Sequence, residues 1–124
     1  MNLREEGQSA EALAADFLKR QSYRILDRNY RVGLGEVDII AKDGDTICFV
    51  EVKMRRTSTF GSPFDAVAKP KMRKLVQVAF CYLKAKNLEQ CRARFDVVAV
   101  TPAKNGFKFD LLRNAFRLDE IGGY

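Results

Sequence analysis

The sequence contains no histidine, which removes imidazole-based serine or cysteine triads, histidine-rich zinc hydrolases and every nuclease whose general base is histidine. Acid–base work is left to carboxylates, lysines, tyrosines or a metal-bound water. Cysteine is scarce as well. Cys48, Cys81 and Cys91 are odd in number and show no CxxC spacing, so neither a disulfide framework nor a cysteine zinc knuckle is expected. They read as small core residues in a reducing compartment. No apolar run approaches membrane-spanning length, and the start Met1-Asn2-Leu3-Arg4-Glu5-Glu6-Gly7 has acids where a secretory signal has a basic region. A soluble, cytoplasmic protein with no membrane partner is expected. Proline and serine are nowhere dense enough to form a linker, and no segment repeats. The 124 residues, 47% hydrophobic and 31% charged, predict a single domain spanning 1–124 with one core.

The net charge of +6 is unevenly placed. Between Lys53 and Lys74 stand Lys53, Arg55, Arg56, Lys69, Lys71, Arg73 and Lys74 against one acid, Asp65, and the rest of the chain is balanced. Such a segment is either a solvated face or a surface for a phosphate backbone, bound through counterion release.

Ala10, Leu13, Ala14 and Phe17 recur at helical spacing, which predicts a helix from about Ser9, as N-cap, to Arg20. Glu11 lies about 100° round from the start of that stripe and flanks the buried face. Tyr23 to Arg31 alternates loosely as a strand, and Gly33-Leu34-Gly35 is a loop free to take positive φ. Val37–Ala41 and Ile47–Val52 form a hairpin around Lys42-Asp43-Gly44-Asp45. A loop over Thr57 to Pro63 precedes a helix from Pro70 to about Lys86 that buries Met72, Leu75, Val76, Ala79 and Leu83. Lys71 and Lys74 share one flank of it. Strands at Phe95–Val100 and Phe107–Leu112 close the order α-β-β-β-α-β-β. This is an α/β protein with a mixed sheet flanked by helices.

Ile47-Cys48-Phe49-Val50 is apolar at every position, as a strand covered on both faces should be. Polarity then begins at Glu51, and period two puts Glu51, Lys53 and Arg55 on one face. If Gly44-Asp45 forms a two-residue loop, Asp43 and Thr46 close the turn and Asp38 lies opposite Glu51. With Asp43-Gly44 as the loop, Asp38 is diagonal to it. Both registers put the two carboxylates on one face; a three-residue loop turns Asp38 away. Facing carboxylates repel unless a cation lies between them. Mg²⁺ suits the arrangement, since it takes one or two carboxylates and keeps waters and phosphate oxygens. Lys53 could then activate water or neutralise a phosphate, and Arg55 could hold a neighbouring one. A cross-strand ion pair at a sheet edge is the plain alternative for these residues. Glu36 is a further ligand candidate or a partner of Arg28 or Arg31. Asp96 is expected to fix Arg94 or a helix end, and Tyr30, Phe80 and Tyr82 are either core or base-stacking residues.

Gly35-Glu36-Val37-Asp38-Ile39-Ile40-Ala41, followed by Phe49-Val50-Glu51-Val52-Lys53-x-Arg55, resembles the signature of the YraN family. Arg28-Asn29-Tyr30-Arg31, Phe60-Gly61-x-Pro63, Lys71 and Arg94-Phe95-Asp96-Val97-Val98 also fit, so the likeness runs from Gly7 to about Val100. That family is similar to the PD-(D/E)xK nucleases and to archaeal Holliday junction resolvases. Val37 stands where the motif's name has proline. The resemblance implies a restriction-endonuclease-like core. It also implies that Asp38 and Glu51 bind Mg²⁺ or Mn²⁺, that Lys53 is the motif lysine, and that Glu11 completes the metal set.

The expected function is therefore a Mg²⁺-dependent, nuclease-like hydrolase of phosphodiester bonds acting on DNA, branched or junction DNA included. Asp38, Glu51, Lys53 and Glu11 would form its catalytic set, and Arg55, Arg56, Lys69, Lys71, Arg73 and Lys74 would track phosphates. A homodimer would follow for a junction, which presents two symmetric strands, with Phe60, Phe64 and Val67 as its interface. The alternatives are a catalytically quiet nucleic-acid-binding module that partners a recombination or repair factor, and a protein whose charged strand end is only an ion-pair network.

Overall fold

The computed structural model describes residues 3–33, 35–55 and 69–115, with only the backbone described for 3–9, 69 and 70. Its elements are α1 (Leu3–Arg20), β1 (Arg24–Val32), β2 (Gly35–Asp43), β3 (Thr46–Met54), α2 (Lys69–Ala85), β4 (Arg92–Ala103) and β5 (Gly106–Leu112). This is the order the sequence predicts. The strands form one five-stranded sheet in the order β1-β2-β3-β4-β5. Only β3 and β4 run parallel; the other neighbours are antiparallel. A parallel pair needs a long crossover, and α2 lies within it. The arrangement is that of a restriction-endonuclease-like core.

Each face of the sheet packs against one helix. Ile40, Ile47, Phe49 and Phe95 join Leu75, Val76, Val78, Ala79 and Tyr82 of α2. Ile39, Ala41, Cys48, Val50, Val98 and Val100 join Ala14, Ala15 and Leu18 of α1. The middle of β3 is apolar at successive positions because it feeds both layers. Tyr82 meets Tyr30 and Phe49 edge-on, at centroid distances of 5.0 and 5.9 Å. Tyr30 and Tyr82 are thus core residues, while Phe80 is exposed.

Three local expectations are corrected. α1 begins at Leu3, so Ser9 lies inside the helix and is not its N-cap. The run Arg4-Glu5-Glu6 favours helix strongly enough to carry it through Gly7, which costs about 1 kcal/mol relative to alanine. Gly33 has φ 58° and supplies the turn, but Gly35 already belongs to β2. A Cβ on Gly35 would collide with Val78 Cγ2, so its role is to let α2 lie close against the strand. Of the cysteines only Cys48 is a buried core residue; Cys91 is half-buried and Cys81 is exposed.

Asp96 does fix Arg94. The buried Asp96 carboxylate accepts hydrogen bonds from Tyr23 Oη at 2.9 Å, Arg94 Nε at 2.9 Å, Arg94 Nη2 at 3.1 Å and the Asn114 backbone N–H at 2.9 Å. Arg94 also reaches Asp43 at 2.8 Å. This network ties the hairpin, β4 and the chain after β5 to the end of α1. Among the described residues, no helix is long and apolar enough to cross a membrane.

Candidate functional site

The hairpin closes on Asp43↔Thr46 with Gly44-Asp45 as its two-residue loop, one of the two expected registers. From there β2 and β3 pair only as far as Ile39↔Val50. Beyond that point β2 stays paired to β1 as far as Val32↔Gly35, and β3 stays paired to β4 as far as Met54↔Val100. The sheet therefore opens into a fork. Asp38 and Glu51 are the first residues past the last pair, one on each arm. The Val52 backbone N–H donates to Asp38 Oδ2 at 2.8 Å, so a carboxylate takes the place of the strand partner.

The expectation that both carboxylates simply share one face of a continuous ladder is corrected here. Val37 packs in the α2 layer and Ile39, two residues on, packs in the α1 layer. The inside–outside alternation slips once between them, as it does where a strand bulges. Asn29 lies across from Asp38, between the pairs Arg28↔Ile39 and Tyr30↔Val37, and has φ 54°. Asparagine tolerates this left-handed conformation better than most residues. The slip turns Asp38 toward α1, where it meets Glu11. Carboxylate oxygens of Glu11, Glu36 and Asp38 lie within 4.8 Å of one another. Asn29 hydrogen-bonds Glu11, and Glu36 pairs with Arg31 at 3.4 Å.

Glu51 belongs to the opposite layer. It follows the phase of Ile47 and Phe49, is 7% exposed, and forms an ion pair with Lys71 of α2. Asp38 is the link, lying near enough to Glu11 on one side and Glu51 on the other to influence both. Burial and the Asp38 charge push Glu51 up to about 7, although Lys71 opposes the shift. Asp38 is raised by burial first, with the Val52 N–H pulling the other way. Glu11 is raised by burial and by Asp38. All three shifts come first from burial, and neighbouring carboxylates add to it.

Lys53 follows Glu51 by two residues and is half-buried on the same side of β3; no carboxylate among the described residues forms an ion pair with it. The basic segment is less unified than the sequence suggests. Lys71 turns into the site, whereas Lys74 lines an open groove of about 520 Å³ with Val32, Gly35, Gln77 and Phe80. Arg73 is exposed on α2, and the Arg55 backbone N–H bonds Val100 O at 2.8 Å. Arg56, the Lys69 side chain and the Phe60, Phe64 and Val67 interface lie outside the described residues. Sequence reasoning did not place Asn29 at the site, and it gave Lys71 a phosphate-tracking role without foreseeing its pairing with Glu51. Asn29 carried a signal in being an asparagine inside a strand pattern. The approach of Lys71 to Glu51 carried none, because it depends on how α2 docks.

Residues 10–100 match the profile of the family described as "Uncharacterised protein family UPF0102". The chain is 47% identical over 117 residues to a UPF0102 protein of Syntrophus aciditrophicus strain SB, covering 94% of this chain and 91% of that one. A UPF0102 protein of Caldicellulosiruptor saccharolyticus is 49% identical over 118 residues, covering 94% of this chain and all 100% of its own. One from Dictyoglomus thermophilum is 41% identical over 118 residues, with 94% and 100% covered.

Proposed function

The chain belongs to the UPF0102 family, also called YraN, and from the site it carries we propose that it is a metal-dependent, nuclease-like protein that binds DNA and hydrolyses phosphodiester bonds. The observation that carries this reading is the fork, where Asp38 lies just past the last β2–β3 pair with carboxylate oxygens of Glu11 and Glu36 within 4.8 Å and with Glu51 on the facing arm. The donor set fits Mg²⁺ or Mn²⁺, which are bound by carboxylate oxygen and would offset the repulsion among these carboxylates. Asp38, Glu51 and Glu11 would hold the ion. Once bound, such an ion acidifies water and offsets charge on a phosphate.

The remaining work falls to the chain's own groups. Asp38, held by the Val52 N–H, keeps a fixed orientation whether or not it carries a proton. Lys53 stands beside the ligands to orient a nucleophile or neutralise the phosphate under attack. Arg55, Arg56, Lys69, Lys71, Arg73 and Lys74 supply positive charge for neighbouring phosphates. That set contacts backbone and not base edges, so preference for DNA shape, branched or junction structures included, is expected over preference for sequence.

The test is cleavage of labelled linear, flap and four-way-junction DNA with Mg²⁺ or Mn²⁺, comparing the natural chain with Glu51→Gln and Lys53→Ala. Loss of cleavage in both variants, by about 10²-fold or more, with DNA binding retained, is the expected result. A second reading draws on the Lys71–Glu51 ion pair, which already neutralises part of the site. It makes the chain a catalytically quiet nucleic-acid-binding module that partners a recombination or repair factor. Salt-dependent binding with no cleavage of any substrate would select it.

A further inference from the structure

We propose that Lys71 is the resident counter-ion of the carboxylate site and that a divalent cation, on binding, expels it from Glu51 into solvent. The inference rests on the reading of Asp38, Glu51 and Glu11 as metal ligands and adds a moving part to it.

Three observations support the exchange. First, the ammonium of Lys71 is paired directly with Glu51 Oε1, on the carboxylate a metal ion would share. A cation on either oxygen of that carboxylate brings a second positive centre close to the ammonium. Second, the charge of Lys71 extends to Asp38, where it opposes the effect of burial. The lysine thus relieves the same carboxylate pair that a metal would relieve. Third, the two partners are unequally held. The Glu51 side chain is 9% exposed and its strand is paired to β4 at Val97, whereas the Lys71 side chain is 55% exposed. Glu51 has nowhere to go. Lys71 has a flexible four-carbon stem and an open route to water, where an ammonium is strongly hydrated.

The consequence is a site that is partly neutralised while empty and exchangeable when metal arrives. The displaced ammonium remains tethered at its mouth, where an anionic substrate would meet it. Substrate phosphate would then find Lys71 available only after the metal has loaded.

Lysine reactivity tests this on the natural chain. The full-length protein is acetylated with an amine-reactive reagent with and without Mg²⁺, and each lysine is quantified by mass spectrometry. Mg²⁺ should raise the rate at Lys71 about tenfold, leave Lys74 unchanged, and have no effect at Lys71 in Asp38→Asn. In parallel, Mn²⁺ is titrated by calorimetry into the natural chain, Lys71→Met and Lys71→Arg. Lys71→Met should bind about tenfold more tightly, and Lys71→Arg should return toward the natural affinity. Lys71 reactivity indifferent to Mg²⁺ overturns the proposal, as does weaker or unchanged Mn²⁺ binding in Lys71→Met. If Mn²⁺ binds while Lys71 stays protected, the expulsion fails and the metal reading stands. If the natural chain and Lys71→Met both bind no Mn²⁺, the metal reading fails with it.

Discussion

At Glu51 the fold buries a carboxylate, sets Asp38 against it and offers one lysine in return, and the balance still leaves the group at about 7. An ordinary glutamate in the unfolded chain titrates near 4.3. Between those two values the folded chain holds a proton that the unfolded chain has lost, so stability falls as pH rises through this window. The contribution is fully present below the unfolded value and gone above about 7. Glu51→Gln removes the ionisation, and at pH 8 it should therefore stabilise the protein by on the order of 2 kcal/mol. At pH 4 the two proteins should differ little. Urea unfolding at both pH values measures this, and Mg²⁺ should narrow the pH 8 gap by stabilising only the natural chain. Equal stabilities at pH 8 would mean that Lys71 already compensates the charge. A residue whose removal stabilises the fold has been kept for another reason, and binding a cation is one. The hairpin register that brings Asp38 and Glu51 level was legible in the sequence because it is local, but the slip that turns Asp38 toward α1 was not. The sequence could not reveal Lys71 on Glu51, since residues 20 apart in the chain meet there only through the docking of a helix.

Among the elements, α2 sets the geometry on the Glu51 side of the site, and its distance from the sheet depends on Gly35. A methyl group there meets Val78 Cγ2, and Lys74 O is also close, at 3.4 Å. Valine is β-branched and cannot swing its methyl group away freely, so the helix itself must shift. Gly35→Ala should cost about 1–3 kcal/mol as an overpacked contact. Val78→Ala in the same background should recover part of it, giving a coupling that a double-mutant cycle resolves. Simple additivity would show that the two positions do not press on each other. The shift should also weaken the Lys71–Glu51 pair, because Lys71 lies on the same end of α2. Element order was legible from periodicity, and the helix faces in part: Ala10, Ala14, Leu75, Val76, Ala79 and Leu83 are buried as expected, but Ala15, Leu18, Val78 and Tyr82 share the core with them and Leu13, Phe17 and Met72 are only half-buried. The start of α1 was not, because Ser9 has the composition of a cap but sits in a run whose neighbours all favour helix. Nor was the slip between Val37 and Ile39, which leaves no trace in an apolar and acidic alternation that looks regular.

Across the whole molecule, a buried aspartate and a half-buried one play opposite parts. Asp96 receives four hydrogen bonds, from Tyr23, Arg94 twice and Asn114. Asp38 receives one backbone N–H and the more distant charge of Lys71, and it faces the carboxyl groups of Glu11 and Glu36. A buried carboxylate fully supplied with donors stabilises a fold; one facing like charges costs stability unless a cation relieves it. The two should respond oppositely to the same change. Asp96→Asn leaves Arg94 with a weakened partner in a site of low solvent access and should destabilise by about 3 kcal/mol, with Mn²⁺ affinity unchanged. Asp38→Asn removes repulsion from Glu11 and Glu51, so it should be neutral or stabilising at pH 8 while abolishing Mn²⁺ binding. Urea midpoints and Mn²⁺ titrations on the same two preparations decide the matter. If Asp38→Asn proves the more destabilising of the two, the hydrogen bond to Val52 outweighs the repulsion, and the fork is held open by that carboxylate for structure and not for a cation.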